Sequence, residues 1–150
     1  MDWGDAFKVA NTFALVCWLA LLFLPRYAWL LMGLRRIAIA SLCVVYSSVI
    51  FFFASDVEGG GFATLEQVQK LFESDAVMFA AWLHYLAFDL FVGLWIAEQS
   101  DRNSIPRLIQ IPILAATFLL GPFGLLLFFL VEASIGGWRR IHRKADMPSK

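Results

Sequence analysis

The chain is 150 residues long and 61% hydrophobic, and its twelve basic and twelve acidic side chains cancel to no net formal charge. A soluble domain of this length interleaves polar residues at helical or strand period, and this one does not. The balanced charge excludes the basic footprint of a nucleic-acid binder, and the charges cluster between apolar runs, as the loops of a bilayer protein do.

Four apolar segments follow in chain order. The first covers about 7–24 and stops at Pro25-Arg26. Asp2 and Asp5 precede it with Lys8 as the only base, which suits neither a secretory signal nor a transit peptide, so the segment is expected to stay as a span. The second, about 37–54, is approached from Arg35-Arg36; the third is 76–97 and the fourth about 108–131. Each is near the length a hydrocarbon core demands, and none alternates as a spanning strand would. The expected fold is all-α: a polytopic bundle of four transmembrane helices forming a single membrane domain over 1–150, with a basic tail at 132–150.

The connection before the third segment opens with Gly59-Gly60-Gly61, too flexible to continue a helix. Thr64 and Gln67 then form a capping-box pattern, and Leu65, Val68, Leu71 and Phe72 recur at helical spacing. This predicts a short amphipathic helix in the membrane interface with its apolar side towards lipid, or alternatively a gate over the bundle mouth. In a four-span chain seven bases fall on the side of the termini and five on the other. The cluster Arg139, Arg140, Arg143 and Lys144 tips both termini towards the cytoplasm.

His84 and Asp89 lie inside the third segment. An ionisable side chain near mid-membrane costs roughly 2.5–3.5 kcal/mol on insertion scales, so the pair is a functional candidate. At 100° per residue Leu83, Leu86, Ala87, Leu90, Leu94 and Ala97 share one arc, read as lipid contact. The remaining arc holds Trp82, Tyr85, Phe88, Phe91 and Trp95 with His84 and Asp89, and is expected to be enclosed by the other helices. Asp89 shares a stripe with Trp82, Tyr85 and Gly93, while His84 lies about 140° round from it. The two cannot bond as i,i+4 neighbours, but can line one pocket from its two sides. An imidazole and a carboxyl held away from water can exchange protons in acid–base catalysis. Asn11, Tyr46 and Thr117 are the partners other spans offer. The alternative is that the pair fastens helices together and the aromatic arc is packing.

In the fourth segment Gly121-Pro122 predicts a kink, and Thr117, Gly121 and Gly124 form a stripe of small residues that lets a backbone or a ligand approach. Pro106 and Pro112 mark its opening turn. Cys17 and Cys43 fall in apolar segments and read as packing residues. His142 is in the tail, no metal-ligand spacing or nucleophile motif is present, and no metal or other cofactor is expected.

The run from Ala81 to Ile96, with its block His84-Tyr85-Leu86-Ala87-Phe88-Asp89, resembles the signature of a membrane family named for abscisic-acid deficiency, whose plant members are needed to make neoxanthin from violaxanthin. Thr117-Phe118 with Gly121-Pro122-Phe123-Gly124-Leu125-Leu126 is similar to the family's second block, and Asn11, Trp18, Pro25 and Tyr46 to its scattered positions. The resemblance implies a cofactor-free isomerisation of a carotenoid, in which an epoxide opens to a tertiary alcohol while a neighbouring proton leaves and an allene forms. It implies Asp89 as the acid, His84 as the base and Tyr85 as a second donor, with the reverse assignment open. Trp82, Phe88, Phe91 and Trp95 would hold the polyene, and Gly93, Asn11, Tyr46, Thr117, Gly121 and Pro122 complete the substrate-binding set. The chain shows no plastid-targeting extension, which implies a compact bacterial version in the inner membrane. Its ligand is then a carotenoid or another elongated apolar isoprenoid. Two further readings stay open: a small proton-coupled transporter, which would work as a homodimer, and a non-catalytic pigment-binding or assembly protein.

Overall fold

A computed structural model describes residues 2–53 and 57–145, with side chains to residue 135. Helix α1, Trp3–Phe23, starts where the Asp2 carboxylate accepts from the Gly4 and Asp5 amides at 2.9 and 3.3 Å. Such a cap contributes about 1 kcal/mol. Helix α2 runs Ala28–Phe53 and contains a π-helical stretch, Leu34–Ile39. Helix α3 is Leu65–Phe72, α4 is Asp75–Arg102, α5 is Arg107–Leu120 and α6 is Pro122–Ala145. No strand occurs among the described residues.

Three of these helices, α1, α2 and α4, are long and apolar enough to cross a membrane. Helix α2 begins well before Ile37, because Arg35 and Arg36 do not end an element but sit inside the π-helical stretch. The short amphipathic helix forms as α3. Thr64 Oγ1 accepts from the Gln67 amide at 3.3 Å, and Gln67 Oε1 accepts from the Ala63 amide at 3.2 Å. Leu71 turns inward while Phe62, Leu65 and Phe72 stay exposed.

The fourth apolar segment forms two helices, α5 and α6, with a break between them rather than one kinked rod. Gly121 adopts φ +41°, ψ −94°, a conformation L residues avoid, and Pro122 cannot continue the hydrogen-bond ladder. The Gly121 amide still donates to the Thr117 carbonyl at 2.8 Å. The chain turns so sharply that a Cβ on Gly124 would collide with the Thr117 backbone and hydroxyl. Pro106 caps α5, but Pro112 lies inside it.

The chain divides into two compact units, Met1–Leu94 and Trp95–Lys150. In the first, Ala10 and Ala14 of α1, Leu42 and Val49 of α2, and Ala76, Phe79, Ala80, Leu83, Leu86 and Ala87 of α4 form one buried cluster. Trp3 meets both Phe53, at 5.1 Å, and Phe79, at 5.8 Å. The end of α2 thus lies beside the starts of α1 and α4, so α1 and α4 run parallel and α2 antiparallel to both.

In the second unit α4 ends in a Schellman motif. Ile105 donates to the Ser100 carbonyl at 2.9 Å and Ser104 to Asp101 at 3.1 Å, with Ser104 at φ +53°. Gln110, fully buried, seals this turn by donating to the Ile105 carbonyl at 2.7 Å and to Asp101 Oδ1 at 2.9 Å. Glu132 of α6 accepts from Asn103 at 2.7 Å and from Gln99 at 3.4 Å.

Candidate functional site

Helix α4 shows the opposite sidedness to the one its hydropathy suggests. Leu83, Leu86, Ala87, Leu90, Leu94 and Ala97 are buried, so the leucine arc is core and not lipid contact. His84, Phe88, Phe91 and Trp95 are exposed, so that part of the aromatic arc is not enclosed by the rest of the chain. The reason is physical: lipid and protein core are both apolar, so hydropathy alone does not tell one from the other. Small residues do, because they let backbones approach. Ala76, Ala80, Ala87, Gly93 and Ala97 all lie among the buried residues of α4, a signal available in the sequence.

The two ionisable groups sit on different flanks of this helix. Asp89 is 8% exposed and lies on the stripe with Trp82, Tyr85 and Gly93 that faces α1. The Tyr85 hydroxyl donates to its carboxylate across one helical turn. Its Oδ2 is buried and has no hydrogen-bond partner among the described residues. An ion or acid so placed is costly unless it has a use.

Above and below Asp89 the seam with α1 is closed by aromatic rings. Asn11 Oδ1 accepts from Trp82 Nε1 at 2.6 Å, so Asn11 serves Trp82 and not His84 or Asp89. Trp82 stacks on Tyr85 at 5.2 Å and meets Phe7 at 5.4 Å. At the other end the Trp18 ring fills the space a Cβ on Gly93 would need, with Trp18 Cζ3 only 2.8 Å from that position. Trp18 stood among the scattered family-like positions with no structural part assigned to it. The signal was a glycine within an apolar helix, which invites a large ring from a neighbour.

His84 lies on the α2 flank. Its imidazole is 4.5 Å from the Phe88 ring and 5.9 Å from the Tyr46 ring, so Tyr46 is brought to His84 as a neighbour. Beside this pair a wholly apolar cleft of about 230 Å³ is lined by Ile39, Cys43, Ala87, Phe88 and Phe91. A larger groove of about 550 Å³ opens between α1 and α2 over Phe79 and Leu83, but it touches neither His84 nor Asp89.

The remaining sequence candidates belong to the second unit. Trp95 packs on Phe128 and Phe129 at 5.3 and 6.0 Å. Thr117 is fully buried and donates to the Ile113 carbonyl at 2.9 Å. Gly121 and Pro122 form the break itself. The Glu132 cluster with Asn103 and Gln99 lay outside the sequence candidates, because glutamate near a helix end reads as an ordinary surface charge. Both cysteines are free, and no group of three His, Cys, Asp or Glu able to hold a metal occurs among the described residues.

These features define an all-helical protein with membrane-length apolar helices, one of which carries a buried carboxyl bonded by a half-buried phenol and a separate, outward-facing imidazole. The chain belongs to the ABA4-like family: the family model described as ABA DEFICIENT 4-like matches residues 5–128. That is the family the third-segment signature resembles, and its link by name to neoxanthin synthesis gives a carotenoid-related direction. Among curated proteins and among solved structures, the comparisons find no match.

Proposed function

We propose that this chain is a multi-pass protein of a bacterial inner membrane, crossing it four times, and that it isomerises a carotenoid or related isoprenoid by acid–base chemistry without a cofactor. The observation that carries this reading is the buried Asp89 carboxylate, bonded by Tyr85 and with a second oxygen unpartnered, in the same helix turns as an unburied His84. The reaction needs a proton delivered to an epoxide oxygen and a proton removed from a neighbouring carbon, with no net gain or loss of either. Asp89 in its protonated form supplies the first, with Tyr85 as the second donor; His84 accepts the second, and that proton returns to Asp89 before the next turnover. The exposed rings of Phe88 and Phe91 offer flat apolar surface to a polyene.

The test is incubation of the purified protein with candidate epoxy-carotenoids. A product of unchanged mass and altered absorption spectrum is expected. His84→Ala and Asp89→Asn are each expected to lower its rate by about 10²–10⁴, the usual worth of a positioned acid or base, and Tyr85→Phe by less. Undiminished conversion by both variants removes these roles. The exposure of the aromatic arc also favours a second reading, pigment binding without chemistry. Its mark is a carotenoid that co-purifies unchanged and is retained by both variants.

A further inference from the structure

The cleft between α2 and α4 is assembled by matched positions on antiparallel helices. Its lining comes from Ile39 and Cys43 of α2 and from Ala87, Phe88 and Phe91 of α4. One turn further along both helices Tyr46 meets His84. From Phe91 to His84 is about 10 Å along the helix axis. One end of this strip is therefore purely apolar and the other carries an imidazole beside a phenol. Ile39 is also the last residue of the π-helical stretch Leu34–Ile39. π-Helical turns are uncommon and are frequent at functional sites. An exposed imidazole in such a helix faces acyl chains that satisfy neither of its nitrogens, which is costly unless a polar group arrives to meet it.

We propose that this cleft is a ligand site open to the bilayer, taking one end of an elongated apolar molecule whose single hydrogen-bonding oxygen meets His84 and Tyr46 while its chain lies along Phe88 and Phe91. The inference deepens the reading above and rests on its membrane setting, but not on its chemistry. It gives the ligand a defined place, the cleft between α2 and α4 beside the exposed rings. Access is then lateral, from lipid, and no opening of the helices is required. The occupant is argued from complementarity: a cleft without polar lining excludes headgroups, and a neutral acyl chain leaves the imidazole unmet.

The experiment uses the full chain in phosphatidylcholine nanodiscs, loaded with β-carotene or with its dihydroxy derivative zeaxanthin and then repurified. The carotenoid retained per protein is read from visible absorbance. Wild type is expected to retain zeaxanthin over β-carotene by roughly fivefold, the worth of one net hydrogen bond. Cys43→Phe, which fills the cleft from an exposed position, is expected to lose both carotenoids. Phe91→Ala removes one wall without adding bulk and is expected to weaken retention of both. His84→Ala is expected to keep β-carotene and lose the preference. Wild-type retention by a Cys43→Phe protein of unchanged unfolding temperature overturns the site, and so does an absence of preference in wild type. A Cys43→Phe effect confined to oligomeric state in sedimentation also overturns it, by assigning the cleft to a second copy. Product formation at the wild-type rate by Cys43→Phe removes the cleft and leaves the isomerase standing. The expected retention pattern without any product from wild type does the reverse.

Discussion

Asp89 and Gly93 share a stripe of α4, yet they meet α1 in opposite ways, and each gives a measurable consequence. Gly93 exists to admit the Trp18 ring, so Gly93→Ala forces that ring or the helix to shift. Overpacking of this kind costs about 1–3 kcal/mol. A lower unfolding temperature in detergent is expected, partly recovered by adding Trp18→Phe, and an unchanged temperature in the single variant would separate the two residues. Asp89 has an unsatisfied buried oxygen, so it fastens the helices poorly for its cost. Asp89→Asn is therefore expected to keep or raise the unfolding temperature while slowing conversion, and a clear fall in temperature would make Asp89 a fastener instead. Two ionisable groups in one apolar run made His84 and Asp89 candidates from the sequence alone. Which way each faces was not legible there, because the two apolar surroundings of a membrane helix carry the same hydropathy. The alanines and Gly93 held that information.

At the level of elements, caps and breakers were the legible part. The Thr64–Gln67 pattern starts α3, Pro25 follows α1, and Gly121-Pro122 interrupts the last apolar segment. What escaped was backbone geometry that no residue type announces. Arg35 and Arg36 read as an interface, and the chain instead winds through them as a π-helical stretch. Ser104 holds the left-handed position of the Schellman motif although it is not glycine. That conformation costs an L residue roughly 1–2 kcal/mol. Ser104→Gly removes the strain but gives the unfolded chain more freedom, so a net gain of about 0.5–1 kcal/mol is expected. A thermal-unfolding series reads it directly, and no gain would mean that Ser104 is held there by more than the turn. Gly124→Ala acts in the other direction. Its Cβ meets Thr117 backbone atoms, which have nowhere to go while the break keeps its geometry, so loss of folded protein is expected.

For the whole molecule, the lengths of the last two helices decide whether a fourth crossing is possible. Helix α5 has 14 residues, and the apolar part of α6, Pro122–Ile135, is equally short. Each is about 21 Å long, against a hydrocarbon core of about 30 Å, so neither crosses alone and only the two together have the reach. A break inside a bilayer is tolerated where the backbone polar groups keep partners. Here the Gly121 amide donates to Thr117, and the Leu125 amide to Gly121 at 3.3 Å. A fourth crossing through a broken helix is therefore physically permitted, and it has a definite signature. Single cysteines placed in a Cys17→Ala, Cys43→Ala background should label with a membrane-impermeant maleimide in two sets. Tyr27→Cys and Ser104→Cys should react from one side, and Glu58→Cys and Ser149→Cys from the other. If Ser149→Cys instead reacts together with Ser104→Cys, the chain crosses three times and α5 and α6 form a re-entrant pair. The first outcome makes the basic cluster Arg139, Arg140, Arg143 and Lys144 share a side with the N-terminus, where the positive-inside rule puts it with Lys8 and Lys70. The second leaves it on the side of Arg26, Arg35, Arg36, Arg102 and Arg107, and all but two of the twelve bases then face one compartment. That charge distribution would orient the protein strongly, whereas the four-crossing arrangement orients it only through its tail. Removing the four tail charges is accordingly expected to scramble orientation in the four-crossing protein and to leave it intact in the three-crossing one.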